Sequence, residues 1–244
     1  MKIIGIIPAR FASTRFPGKP LIYIAGKPMI QRVYEQAKKC NLITEVVVAT
    51  DDKRIEQAVK LFGGNVVMTS SKHETGTDRC YEALKKVKGK YNAVINIQGD
   101  EPFIHPKQIA KVASCLSEQQ AEIATLVMKV NKVDELLNPN TIKVVVDKKK
   151  NAVYFSRTMI PYYRDKKLED AIKSHTFYKH IGIYGFRTDV IAKLTKLKRS
   201  SLEIAESLEQ LRWIENGYKI SVKLTSLESH SIDSPEDLLK NILK

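Results

Sequence analysis

At 244 residues and 43% hydrophobic content, the chain is long enough to bury a full core and has an ordinary globular composition. No apolar run reaches membrane-spanning length and no basic-then-apolar leader is present, which predicts a soluble cytoplasmic protein without membrane insertion. Its 41 Lys and Arg against 27 Asp and Glu give a net charge of +14, yet the lysines are scattered, densest at Lys148-Lys149-Lys150, with no aromatic-interleaved stripe and no zinc spacing. A nucleic acid is therefore not the expected partner, and a basic nucleic-acid-binding protein stands as the alternative from a different class.

In chain order, Ile3 to Ile7 is an apolar run that does not alternate, so it reads as a buried parallel strand. A loop follows from Pro8. Met29, Ile30, Val33 and Ala37 fall at helical spacing, with Pro28 as a first-turn proline. Glu45 to Thr50 is a second strand, and Asp51-Asp52 opens a helix that Gly63-Gly64 ends. Val66 to Met68 is a third strand. A helix then begins at Asp78, and Ala93 to Ile97 is a fourth strand. Pro106 starts the next helix. This alternation predicts a parallel, doubly wound α/β sheet.

After residue 121 the texture changes. Ile123 to Val130, Ile142 to Asp147 and Ala152 to Phe155 read as strands, with a turn at Lys148 to Asn151. Aromatics crowd the stretch from Tyr154 to Phe186, as a core layer or as a subunit interface. Ser201 to Glu215 reads as the longest helix, with Leu202, Ala205, Leu208 and Leu211 inward. A strand from Tyr218 to Leu224 follows, and Asp233-Ser234-Pro235 starts a last helix. No linker appears, so residues 1–244 form a single domain, with a first half to residue 121 and an elaboration over 122–244. Cys40, Cys80 and Cys115 lie far apart and read as small core residues, not as a disulfide frame or a metal site.

The loop after the first strand carries Arg10, Ser13, Thr14, Arg15 and Lys19, stiffened by Pro17 and Pro20 around Gly18. Cations and hydroxyls at the carboxyl end of a first strand predict a polyphosphate cradle. Pro20 after Gly18-Lys19 excludes a Walker A loop, and a lone glycine excludes the dinucleotide fingerprint. Asp100 ends the fourth strand at the same edge, in Gln98-Gly99-Asp100-Glu101-Pro102.

Ile7-Pro8-Ala9-Arg10, Ser13, Arg15 and Pro17 to Leu21 resemble the signature loop of the sugar-acid cytidylyltransferases. HETGTDR (73–79), NIQGDEP (96–102), FSRTMIPY (155–162), KHIGIYGFR (179–187), LEQLRWIENG (208–217) and IDSPEDL (232–238) narrow the resemblance to the 3-deoxy-manno-octulosonate (Kdo) cytidylyltransferases. The resemblance implies a doubly wound, mostly parallel, Rossmann-like nucleotidyltransferase sheet with a strand-rich, aromatic-rich elaboration for dimerisation and sugar binding. It implies transfer of CMP from CTP to Kdo, with 8-amino-Kdo or sialic acid as alternative acceptors, in a homodimer that uses magnesium.

Residue by residue, the resemblance implies catalytic roles for Arg10, Lys19, Asp100 and Asp233, the two aspartates also holding Mg2+. It implies nucleotide contacts from Pro8, Ala9, Arg10, Ser13, Arg15, Lys19, Thr77, Asp78 and Arg79. It implies a sugar pocket of Gln98, Arg157, His180, Tyr184, Glu209 and Gln210, with the planar fork of Arg157 for the acceptor carboxylate. Read without the resemblance, Asp233 is a helix cap, His180 a half-buried structural histidine, and Arg79 either a substrate contact or a brace for its loop.

Overall fold

The computed structural model describes residues 1–12, 16–118, 121–165, 167–228, 231–232 and 234–237. Its strands are β1 (Ile3–Ala9), β2 (Tyr23–Ile24), β3 (Lys27–Pro28), β4 (Glu45–Thr50), β5 (Val66–Met68), β6 (Ala93–Asn96), β7 (Ile123–Lys129), β8 (Lys143–Val146), β9 (Ala152–Ser156), β10 (Tyr178–Arg187) and β11 (Ile220–Leu224). Its helices are α1 (Met29–Lys38), α2 (Lys53–Leu61), α3 (Gly76–Lys86), α4 (Pro106–Glu118), α5 (Val133–Leu137), α6 (Leu168–Ser174), α7 (Thr188–Leu194), α8 (Ser201–Glu206) and α9 (Glu209–Glu215).

The main sheet runs β11-β7-β10-β6-β1-β4-β5, with β8 and β9 attached through β10. β1 lies between β4 and β6 and parallel to both, which is why its sequence is apolar on both faces. β10 is antiparallel to β6 and to β7, while β11 is parallel to β7. Along that path only β10 is reversed, so the carboxyl ends of the other strands form one edge. Alternate β1 side chains divide two cores. Ile3 and Ile7 pack with α1, α2 and α4 residues such as Val33, Ile55 and Val112. Ile4 and Ile6 pack with Cys80 and Ala83 of α3, Val190 of α7 and Trp213 of α9.

The expected helix from Ser201 to Glu215 is two helices. Ser207 takes a left-handed φ of 52° and Leu208 is extended, so the chain turns between α8 and α9. Ala205, expected inward, is exposed, whereas Leu208 and Leu211 are buried. Pro28 sits just before α1 as its N-cap, not in its first turn. α3 begins ahead of Asp78, because the Thr75 hydroxyl accepts the Asp78 amide at 3.1 Å and caps the helix. The KHIGIYGFR stretch lies in the ten-residue strand β10, which joins the two halves of the chain in one sheet. Phe155, Phe177, Tyr184 and Phe186 are buried and only Tyr162, at 81% exposure, faces solvent fully, so the aromatic-rich stretch is chiefly core.

Candidate active site

At the carboxyl edge, the loops after β1, β5 and β6 enclose a cleft of about 230 Å3, open to solvent. Pro8, Ala9, Arg10, Lys19 and Pro20 line it from one side, His73, Glu74, Thr75, Gly76 and Arg79 from another, and Gln98, Gly99 and Asp100 from a third. Two glycines make this closeness possible. Gly18 has a φ of +72°, and a Cβ there would lie 3.0 Å from the Phe11 ring, whose carbonyl accepts the Gly18 amide at 2.9 Å. Arg54 also lies over that ring, its guanidinium carbon 3.3 Å from the centroid. A Cβ on Gly99 would meet the Pro8 carbonyl oxygen at 2.8 Å.

The turn after the clamped loop brings Lys19 back across the cleft, where its Nζ donates to Asp100 Oδ2 at 2.7 Å. The Ile232 amide donates to the Asp100 carbonyl at 2.9 Å, and Ile232 is buried with Ile24 and Met29. The chain near its C-terminus thus returns to the cleft edge. Ser234 and Asp237 make a reciprocal cap there, each amide donating to the other's side chain at 3.0 and 3.3 Å. The cap expected in IDSPEDL is therefore supplied by Ser234. Ser13, Arg15 and Asp233 lie outside the described residues.

The HETGTDR stretch divides differently from the sequence expectation. His73 to Gly76 form the cleft wall, and α3 presents its N-terminus there, a setting suited to an anionic ligand. Thr77 is buried and its Oγ1 donates to Glu209 Oε2 at 3.0 Å. The Asp78 carboxylate accepts the Thr75 hydroxyl at 2.9 Å. Arg79 lines the cleft but is 3% exposed, its guanidinium donating to Thr69 Oγ1 at 2.7 Å and Asp51 Oδ2 at 3.1 Å. Of its two possible roles, these bonds serve bracing, since they tie the ends of β4 and β5 together. His73 contacts Glu82; burial raises that carboxyl, but bonds from Lys86, the Ser70 amide and His73 outweigh burial and hold it at about 2.

The expected sugar residues fall into three groups. Gln98 lines the cleft. His180, Tyr184 and Glu209 adjoin one another on the α3 side of the sheet: the His180 ring lies 5.1 Å from Tyr184 and bonds Thr125 Oγ1 at 2.9 Å, and Tyr184 packs edge-on at 5.0 Å against Trp213. Burial pushes His180 down to about 3 and raises Glu209 to about 7 against the Thr77 hydrogen bond. Gln210, beside Glu209, is buried.

Arg157 does not line the cleft with Lys19 and Asp100. Its guanidinium donates to the Glu206 carbonyl at 2.6 Å, the Pro139 carbonyl at 3.2 Å and the Ser207 carbonyl at 3.3 Å. It thereby satisfies carbonyls that the α8–α9 break leaves open. Lys143, wholly buried, secures the same segment by donating to the Arg157 carbonyl at 2.5 Å and the Asn138 carbonyl at 2.9 Å. Nothing in sequence marked Lys143, which sits in an apolar strand. A signal did exist for Glu74, Thr75 and Gly76: the Thr75-x-x-Asp78 spacing is that of an N-cap and its N3 acid.

The donor set suits magnesium carried by a phosphate ligand. Asp100 is a hard carboxylate at the cleft, and among the described residues no group of three His, Cys, Asp or Glu would hold a metal by itself. Magnesium takes one or two carboxylates and fills its octahedron with waters and phosphate oxygens.

A cytidylyltransferase family model matches residues 4–220. A 3-deoxy-manno-octulosonate cytidylyltransferase of Parabacteroides distasonis is 58% identical, with 98% of this chain and 96% of that protein covered. The protein of the same name from Bacteroides thetaiotaomicron is 56% identical over 98% of this chain and 96% of its own. A solved CMP:2-keto-3-deoxy-manno-octonic acid synthetase complexed with CTP is 42% identical, covers 100% of this chain and 98% of its own, and superposes with a TM-score of 0.93. The chain belongs to the cytidylyltransferase family, among its 3-deoxy-manno-octulosonate cytidylyltransferases.

Proposed function

We propose that the chain transfers CMP from CTP to the anomeric hydroxyl of Kdo, releasing pyrophosphate and giving CMP-Kdo for lipopolysaccharide assembly. The observation that carries this is the meeting of Lys19 and Asp100 at 2.7 Å across a cleft that also receives the N-terminus of α3, in a chain of this family. Arg10 and Lys19 neutralise the triphosphate, and the α3 amides favour its negative charge. Asp100 and Asp233 would hold magnesium, which supplies charge neutralisation on the phosphates and lowers the cost of ionising the attacking hydroxyl. Lys19 then balances charge that grows on the leaving pyrophosphate as the hydroxyl attacks the α-phosphorus in line.

On the acceptor side stand Gln98, His180, Tyr184, Glu209 and Gln210, with Arg157 for the carboxylate. Three of the five Arg157 N–H donors serve backbone carbonyls, which leaves two for an acceptor. His180, held neutral by burial, is too weak a base to take the hydroxyl proton. We further propose a homodimer, supported by the family resemblance and by exposed Val153, Tyr162 and Ile204 in the second half. Among the described residues no helix is long and apolar enough to cross a membrane, and a cytoplasmic location goes with the use of CTP.

Pyrophosphate release from CTP with Kdo, 8-amino-Kdo and sialic acid tests the proposal. The expected result is release with Kdo well above the other two. Release with sialic acid and none with Kdo would overturn it.

A further inference from the structure

Thr77 sits on the first turn of α3, the helix whose N-cap Thr75 and first residue Gly76 face the cleft. It is 2% exposed, and its hydroxyl is spent on Glu209 Oε2 at 3.0 Å, across 132 positions of sequence. One helix turn thus borders the nucleotide cleft with one side and grips α9 with the other. Glu209 is hemmed in from several elements. α3 brings Asp78 and Cys80 towards it, β10 brings Tyr184, and its own helix brings Arg212. Arg212 is already committed to Glu203 of α8, at 2.7 and 2.6 Å. β9 carries Tyr154, whose charged neighbours are Glu206 and Glu215.

Among the described residues the Glu209 carboxylate is therefore bonded by the Thr77 and Thr75 hydroxyls, and the cation near it, Arg212, is paired with Glu203. Nearby, the Tyr184 hydroxyl and the Trp213 indole N–H are buried without a hydrogen-bond partner among the described residues. Unpartnered polar atoms beside a carboxylate mark a wall built for something hydroxylated.

We propose that Thr77 is a positioning residue for the acceptor: its hydroxyl fixes the Glu209 carboxylate on the wall that receives a polyhydroxylated sugar acid, tying the helix at the nucleotide cleft to the acceptor half. This rests on Glu209 belonging to the acceptor side, as proposed above. It also moves Thr77 from the nucleotide to the sugar. Burial raises the Glu209 carboxyl and the Thr77 bond lowers it, so losing that bond moves its titration upward.

The test is kcat/KM for Kdo at saturating CTP across roughly pH 5.5 to 9, for wild type, Thr77→Val, Thr77→Ser and Glu209→Gln. In wild type, the value should fall as pH drops through about 7, where protonation of Glu209 is expected. Thr77→Val should move that midpoint to higher pH and weaken Kdo use about fivefold at neutral pH, the worth of one hydrogen bond, with the KM for CTP unchanged. Thr77→Ser should restore both. If Thr77→Val does not fold, Thr77→Ala takes its place in the same profile. A raised KM for CTP with an unmoved Kdo profile would overturn the proposal. Glu209→Gln with wild-type Kdo kinetics would instead sink the acceptor-side reading itself, a separate failure.

Discussion

Asp100 is the residue on which the proposed phosphate and metal chemistry would meet; its carboxylate accepts Lys19 and its carbonyl accepts the Ile232 amide. Asp100→Asn keeps the shape and removes the charge. It should lower turnover by about a hundredfold or more, on the order of 3 kcal/mol in the barrier, with the circular dichroism spectrum unchanged. Near-normal turnover at saturating magnesium would show that the charge is not used. Glu82 offers a test of stability. Its folded pKa is held at about 2, below the unfolded value of about 4.5, so its contribution is present above pH 4.5 and is lost as pH falls towards 2. Glu82→Gln should flatten the acid limb of a Tm-against-pH curve over that window. An unchanged limb would place the acid sensitivity elsewhere. At this scale the sequence located motifs but not directions. HETGTDR was legible as a site loop, yet which of its side chains face the cleft depends on where α3 begins, and one turn of helix decides it.

The break between α8 and α9 shapes the segment that carries Glu209 and Gln210. Hydrophobic spacing is the same on both sides of a kink, so Ser201 to Glu215 reads as one helix until Ser207 turns left-handed. Two arginines bond residues at the break. Arg157 covers the exposed carbonyls, and Arg212 makes a buried two-pronged pair with Glu203 across the turn. Arg212→Met leaves the buried Glu203 with only the exposed Arg199, 3.6 Å away, as a cation and should cost about 3 kcal/mol in urea unfolding. Adding Glu203→Leu should recover much of that loss, because the desolvated charge is then gone too. If the double variant is as unstable as the single one, the pair is not what holds the break. Asp52 and Pro106 were readable as helix starts because their chemistry is local, whereas Pro28 and Asp78 were each placed a residue or two off.

Across the whole molecule, the βα alternation of the first half was legible because parallel strands buried on both faces leave continuous apolar runs. The placement of β10 was not. Its partners are Asn96 through Tyr184 and Lys129 through Tyr178, pairings that join distant parts of the chain. Sequence composition alone left the aromatics between core and interface; burial assigns most to the core and leaves Tyr162 exposed for a dimer contact. Light scattering at micromolar concentration should give about twice the 27.7 kDa chain mass, and a monomer would refute the proposed dimer. The central claim is a division of labour, with phosphates at the β1 loop and the sugar acid on the second half. Its most direct measurement is a steady-state matrix for Lys19→Ala and Arg157→Lys, varying CTP at saturating Kdo and Kdo at saturating CTP. Lys19→Ala should raise the KM for CTP and slow turnover while Kdo use holds. Arg157→Lys, which keeps the charge but loses the fork, should weaken Kdo use by roughly 1.5–3 kcal/mol and leave CTP alone. Equal losses on both substrates in either variant would contradict the account.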